Sequence, residues 1–471
     1  MSAPDPPVRA DKPARAPRPG AGGVMARVVR LASVVTPFRS RLLILLLAAV
    51  VLHAVRSPVE ARQRPDRPPA GSADAPAGGA RPDGPGAQAR SEADKLDWWE
   101  RMLKRIEWLQ AHGIHPEAGV VIAGSSLSFG ASYRQPSIAG SGWGAEAGAM
   151  WSLRGYAEYE LRAGLVEHAR RTTMLRPADA RVYAQFNDQD DTEPGFAAYL
   201  DVRRRDYPRV NFYGVGPGVS IDDQSDFALS GNTIDVAVQW QRDERVGVAA
   251  RAGVLDFDIG RGTNADLPDL QDAFDTSQIP GARRQPRFVT AGAAVVIDRR
   301  DTVAVPSSGT FTGLSVWRFA SLDDERHDFT RVTLDARHFT APLDEGGGVL
   351  ASRLLLSTDL TGRGNATPFY LQHHLGGSET LRGYPSYLLR GGALAEVSVE
   401  YRWRAHRLVE IAPFVDAGVV GPGFGALALS NAKVTPGIGF RVRTDERVLF
   451  RMDVGYRPGA ARFSFGLSPV F

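Results

Sequence analysis

The chain has 471 residues, no cysteine, a formal net charge of +3 and an isoelectric point near 9.1. This length accommodates one large domain or up to about three of ordinary size. The absence of cysteine excludes disulfides, thiolate metal sites, iron–sulfur clusters and a cysteine nucleophile. A basic chain raises the question of nucleic acid or a membrane surface as partner, so the position of the charge has to be known first.

The basic excess lies in residues 1–61, which carry nine basic and three acidic side chains. Within them, Arg39 and Arg41 precede the apolar run Leu42–Val55, whose helical rise of about 21 Å is too short for a bilayer core of about 30 Å. A basic start, a short apolar run and a small residue at Ala61 predict a secretory signal peptide, with Met25 as an alternative start. The other interpretation is an uncleaved membrane anchor. Because the remaining chain is mildly acidic, we expect no nucleic-acid partner.

Two further segments precede the main domain. Residues 62–90 consist largely of Pro, Gly, Ala, Arg and Asp, which predicts a disordered linker. From Ser91, a plausible N-cap, apolar residues follow helical spacing until Gly113. We therefore expect a short amphipathic helix within residues 91–115, in the periplasm or in the mouth of the domain that follows.

From about residue 117 to the end, the apolar period changes from 3.6 to 2. In the segment Val120–Tyr133, predicted as the first strand, apolar side chains alternate with Gly and Ser; in Val397–Trp403, they alternate with Ser398, Glu400 and Arg402. Such alternation predicts an antiparallel sheet with one apolar and one polar face.

A soluble barrel or sandwich would turn the apolar face inward, whereas an outer-membrane barrel turns it to lipid. A sheet of roughly 355 residues exceeds the usual size of a single soluble core. At roughly 22 residues for each strand and its connection, the length gives about sixteen strands. We predict an all-β transmembrane antiparallel β-barrel over residues 116–471, with the short helix before it, located in the outer membrane.

The last segment, Arg462–Phe471, places Phe463, Phe465 and Leu467 on one face of a strand and ends on the aromatic residue Phe471. This pattern resembles the C-terminal assembly signal of outer-membrane barrels. The resemblance implies that the outer-membrane insertion machinery recognises this strand.

The run Leu375–Tyr384 (LGGSETLRGY) resembles the hallmark of the bacterial surface antigen superfamily, which includes the barrel subunits BamA and TamA. The resemblance implies that a long loop folds back into the lumen with its tip at Leu381-Arg382-Gly383-Tyr384. Glu400 and Asp416 lie in further stretches that are similar to this family.

Residue chemistry agrees with that implication. Alternation puts Glu400 on the polar face of its strand and Asp416 on the inner face of the next. An arginine in a confined lumen needs partners, and its planar fork matches a carboxylate in two hydrogen bonds. We predict that Arg382 pairs with Glu400, Asp416 or both, pinning the loop as a latch. The alternative is that all three are ordinary solvated lumen charges.

A weak seam is also expected. The predicted first strand is rich in Gly and Ser over 121–131, and the last contains Pro469, which cannot donate to a ladder. The resemblance implies that such barrels open sideways between these strands.

The resemblance implies a function in outer-membrane protein assembly or translocation, with client proteins or lipids as partners beside the surrounding lipid and lipopolysaccharide. Family members normally carry POTRA repeats before the barrel, and no βααββ pattern fits residues 62–116. A passive pore or a structural outer-membrane protein is the alternative. We expect no enzyme, catalytic residue, cofactor or metal, because no hydrolase, P-loop, metalloprotease or dinucleotide motif is present.

Overall fold

The computed structural model describes residues 105, 108–135, 137–138, 140–169, 194–341, 348–444, 448–466 and 469–471. The predicted signal peptide, the linker and most of the amphipathic helix lie outside the described residues. Of that helix, residues 108–111 are helical, and Gly113 follows with a φ of +77°. Within the described ranges, no helix is long and apolar enough to cross a membrane.

Within the described residues, sixteen strands form one antiparallel sheet, in which each strand pairs with the next strand of the sheet along the chain. They are β1 (Ile114–Gly119), β2 (Ser128–Gln135), β3 (Gly144–Ser152), β4 (Ala157–Leu165), β5 (Gly195–Phe212), β6 (Ser225–Gln241), β7 (Val246–Arg261), β8 (Phe288–Asp298), β9 (Gly309–Ser321), β10 (Phe329–Thr340), β11 (Val349–Thr361), β14 (Ala393–His406), β15 (Val409–Gly421), β16 (Lys433–Arg443), β17 (Val448–Arg457) and β18 (Ala460–Gly466). Two short strands, β12 (His373–Leu375) and β13 (Leu389–Gly391), pair with each other in the connection between β11 and β14. The prediction of an antiparallel barrel of about sixteen strands is confirmed.

The two faces of the sheet differ in polarity as the alternation predicted. On β6, Val236 and Trp240 are 58% and 50% exposed on the outer face, whereas Gln239 is buried on the inner face. The same arrangement holds on β14, where Val397 and Trp403 are exposed and Glu400 is buried. An apolar exterior around a charged interior is the arrangement of a membrane barrel and the reverse of a soluble one.

The first strand differs from the prediction. Residues 120–133 do not form one strand, because residues 120–127 turn the chain between β1 and β2. Gly124 and Ser126 adopt φ angles of +90° and +70°, which interrupt an extended backbone, and the Ser128 hydroxyl accepts a hydrogen bond from the Val121 amide at 3.2 Å. Of the Gly and Ser residues that suggested a weak strand, Gly124, Ser125 and Ser126 therefore lie in the turn, whereas Ser128 and Gly130 are paired residues of β2.

The edges of the sheet are consequently β1 and β18. Cysteine pairs placed between residues 121–127 and β18 would join the turn to an edge strand and would not report on the seam. Because successive strands alternate in direction, β1 begins and β18 ends at one end of the barrel. The connection between β11 and β14, residues 362–392, enters from the opposite end.

We expect Gly124→Ala to lower the free energy of unfolding by about 1–2 kcal/mol, because no atom lies within 4 Å of the added methyl group and only the positive φ opposes it. Gly423→Ala is the matched control: it also meets nothing within 4 Å, but its φ is −165°. Urea titration of the barrel in detergent measures both. Equal effects of the two substitutions would contradict a strained turn.

Candidate functional site: the latch of the lumenal loop

The loop of residues 362–392 folds back inside the barrel. Its tip is a tight turn that contains Arg382. The Tyr384 amide donates to the Leu381 carbonyl at 3.0 Å, and the Gly377 amide donates to the Tyr384 carbonyl at 3.0 Å. Gly376 and Gly377 have φ angles of +110° and +101°, which favour glycine, and an added Cβ on Gly376 would lie 2.0 Å from the Pro385 carbonyl oxygen. The two glycines therefore shape the base of this tip.

Arg382 is fully buried and binds both predicted carboxylates. Its Nη2 and Nε lie 2.7 and 2.9 Å from the two carboxylate oxygens of Asp416, and its Nη1 lies 3.1 Å from Glu400 Oε2. Its main-chain amide also donates to Asp416 at 3.2 Å. Burial alone would lower the pKa of the Arg382 guanidinium, but Asp416 and Glu400 raise it above its ordinary value. The loop tip is thus held by a charged, two-pronged ion pair.

Strand register determines where these carboxylates point. On β14, Ser398 and Glu400 face the lumen, and Ser398 is opposite Asp416 on β15. The Ser398 hydroxyl donates to Asp416 Oδ1 at 2.7 Å and fixes the orientation of that carboxylate. Glu400 is opposite Phe414, whose ring lies below Arg382 with 3.3 Å between the guanidinium carbon and the ring centre.

Gly383 and Tyr384 have different roles from the arginine. A Cβ added to Gly455 on β17 would lie 2.5 Å from the Gly383 nitrogen, so the loop tip packs main chain to main chain against the barrel wall. Tyr384 is 7% exposed and belongs to an apolar cluster with Leu381 and Tyr213. These contacts add close packing to the ion pair.

Sequence reasoning missed three charged partners of the latch. Arg402 Nε lies 2.6 Å from Glu400 Oε1, and Arg441 Nη2 lies 2.8 Å from Glu400 Oε2. Asp453 Oδ1 lies 3.6 Å from Arg382 Nη1. Alternation alone puts Arg402 and Asp453 on inner faces, but only the register shows that they converge on one point. Within the described ranges, no group of three His, Asp or Glu side chains could hold a metal ion.

The predicted residues of the last strand separate into two locations. Phe463 and Phe465 are 63% and 59% exposed on the outer face of β18. Leu467 lies outside the described residues. Phe471 is 5% exposed and packs with Phe339, so it does not continue the row of outward-facing aromatic residues.

We expect Gly455→Ala to displace the loop tip, because the new methyl group would lie 2.5 Å from the Gly383 nitrogen and 2.7 Å from the Arg382 carbonyl carbon. Gly148→Ala on β3 is the control, since its Cβ would meet only Ser132 at 3.7 Å. The measurement is the rate at which trypsin cleaves after Arg382 in the folded barrel, followed by mass spectrometry. Equal protection in both variants would contradict the close packing of the tip.

Comparison with known proteins identifies the family of the barrel. Residues 122–471 match the Omp85 superfamily domain. BamA from Haemophilus ducreyi, lacking POTRA domains 1–3, is similar in structure, with a TM-score of 0.51, 13% identity and coverage of 75% of this chain and 69% of that one.

Two CdiB structures are also similar. CdiB from Acinetobacter baumannii has a TM-score of 0.41 and 12% identity, with coverage of 76% of this chain and 59% of that one. CdiB from Escherichia coli has a TM-score of 0.43 and 10% identity, with coverage of 75% and 62%. No curated protein matches the chain. Since the matched domain covers most of the sequence, this chain belongs to the Omp85 superfamily.

Proposed function

We propose that this protein is an outer-membrane barrel that assembles other proteins into that membrane or translocates them across it, with the loop of residues 362–392 as its internal latch. Membership of the Omp85 superfamily and the fold shared with BamA support the proposal. In this proposal, residues 1–61 direct export, residues 62–90 are a linker, and the helix predicted within residues 91–115, which ends before β1 begins at Ile114, lies in the periplasm or the barrel mouth.

The observation that carries the proposal is the closed packing around Arg382. Three arginines are fully buried there: Arg382 on the loop, Arg441 on β16 and Arg451 on β17. Charged side chains that line an open aqueous channel keep their contact with water. Around Arg382, the carboxylates of Asp416 and Glu400 replace that water, which favours a barrel plugged by its loop over a passive pore.

The surface of the barrel is suited to the partners that the proposal requires. Its outer face presents apolar side chains to lipid and lipopolysaccharide, as on β6 and β14. Phe463 and Phe465 offer an aromatic row on β18 to the outer-membrane insertion machinery. Client proteins or lipids would then meet a sheet whose edges, β1 and β18, are six and seven residues long.

We expect Arg382→Gln to lower the free energy of unfolding by about 3–5 kcal/mol, because it leaves Asp416 and Glu400 buried without their shared cation. In planar bilayers, the released loop should raise the conductance above that of the native barrel. Arg337→Gln is the control, since Arg337 binds Asp335 at 2.8 Å and has no contact with the loop tip among its described ion pairs. Native conductance equal to that of Arg382→Gln would favour the passive pore.

Depletion of the protein followed by quantitative proteomics of the outer membrane tests the function itself. We expect a defined set of outer-membrane or exported proteins to decrease, and Arg382→Gln to restore them less well than Arg337→Gln at equal barrel abundance. An unchanged outer-membrane proteome would overturn the proposed role in assembly or translocation.

A further inference from the structure

Residues 469–471, near the end of β18, lie inside the barrel and outside the sheet. β18 ends at Gly466, and its outward residue Phe465 is 59% exposed. Val470 and Phe471 are 1% and 5% exposed, and they form an apolar cluster with Phe339 and Ala351. Residues 469–471 therefore bind to the inner wall.

The wall that receives this segment is not adjacent to β18. Phe339 on β10 and Ala351 on β11 are direct cross-strand partners, and Ala351 is in turn opposite Glu400 on β14. Strands β15, β16 and β17 separate β14 from β18 in the sheet. The contact thus connects an edge strand to a distant part of the same barrel.

Arg402 supplies the polar part of the contact. Its Nη2 donates to the main-chain oxygen of Phe471 at 3.1 Å. Its guanidinium carbon lies 5.5 Å from the ring centre of Phe471 and 5.4 Å from that of Phe339. Two aromatic rings and an accepting main-chain oxygen therefore surround the buried guanidinium of Arg402, an arrangement that favours an aromatic residue with an accessible main-chain oxygen.

We propose that Phe339, Ala351 and Arg402 form an internal binding site for segment 469–471, and that Glu400 couples occupancy of this site to the Arg382 latch. The coupling rests on the latch of the proposed function. Nothing in the contacts of the segment itself depends on that function.

Glu400 is the shared element because one carboxylate binds three arginines. Its Oε2 accepts from Arg382 at 3.1 Å and from Arg441 at 2.8 Å, and its Oε1 accepts from Arg402 at 2.6 Å. When the segment leaves, Arg402 loses the Phe471 oxygen and one aromatic face. Its remaining attraction to Glu400 then competes with that of Arg382 for the same carboxylate. An occupied site and a closed latch therefore favour each other.

Occupancy also has a consequence for the edge of the sheet. While Phe471 is bound to the inner wall, residues 469–471 are held away from the line of β18. The last strand stays at seven residues. Release of the segment would allow this edge to lengthen at the end of the barrel where β1 begins.

Crosslinking tests the site directly, because the chain has no native cysteine. In the full-length barrel reconstituted in vesicles, Val349→Cys with Val470→Cys keeps both phenylalanine rings and should react with a short bifunctional thiol reagent, since Val349 packs against the cluster that contains Val470. Val349→Cys with Phe465→Cys is the control, because Phe465 is on the outer face. Adding Arg402→Gln should lower the yield about tenfold or more. Equal yields in the two pairs would overturn the site.

Trypsin cleavage after Arg382 tests the coupling. Arg402→Gln and Phe471→Ala, made separately, should each increase the rate of cleavage at this bond several-fold. Arg162→Gln is the control: this buried arginine binds Glu146, Glu160 and Asp201 on another part of the wall, and Glu400 is not among its described partners. If the rate of cleavage after Arg382 is unchanged in both Arg402→Gln and Phe471→Ala, the proposed coupling is overturned. Neither readout uses client assembly, so failure of the proposed function is measured separately.

Discussion

The two-pronged ion pair between Arg382 and Asp416 is the contact on which the arrangement inside the barrel depends. Removing two charged groups from water costs desolvation free energy. Their mutual attraction offsets that cost only when the geometry is good and their remaining lone pairs and protons are hydrogen-bonded. Here, the Ser398 hydroxyl and the Arg382 main-chain amide donate to the same carboxylate, and Glu400 binds the third side of the guanidinium. The ion pair therefore fixes the position of the loop more than it adds to stability.

Packing makes that position specific. The ring of Phe414 lies under the guanidinium, and a Cβ on Gly437 would meet this ring at 2.2 Å. On the other side, Gly455 lets the main chain of Gly383 approach the wall. A longer side chain at either glycine would push the tip away from Asp416. The charged contact and the small residues around it consequently act as one unit.

The class of fold could be predicted because strand alternation is a local rule, whereas the pairing of Arg382 also depended on the family resemblance of Leu375–Tyr384, which implied a loop folded into the lumen. Alternation with a period of 2 places Glu400 and Asp416 in the lumen, and an arginine there requires a carboxylate. Register is not local: that Arg441 meets Glu400 depends on how β14, β15 and β16 are aligned. The prediction of the first strand was wrong because Gly and Ser fit a turn as well as an alternating strand. Only the positive φ of Gly124 and Ser126 distinguishes the turn from the strand. The inward position of Phe471 depends on its contact with Phe339 on β10. The sequence of the last ten residues does not indicate this contact.

The latch has a further consequence for the order in which the barrel can form. Arg382, Glu400 and Asp416 lie within 35 residues of each other along the chain, and the strands that bear the two carboxylates pair through a two-residue turn. Closing such a short loop costs little chain entropy compared with bringing β1 to the other edge strand, β18. The polar centre of the structure can thus be complete before the amino-terminal strands are in place. A C-terminal half that formed in this order would give the earlier strands a wall on which to pair.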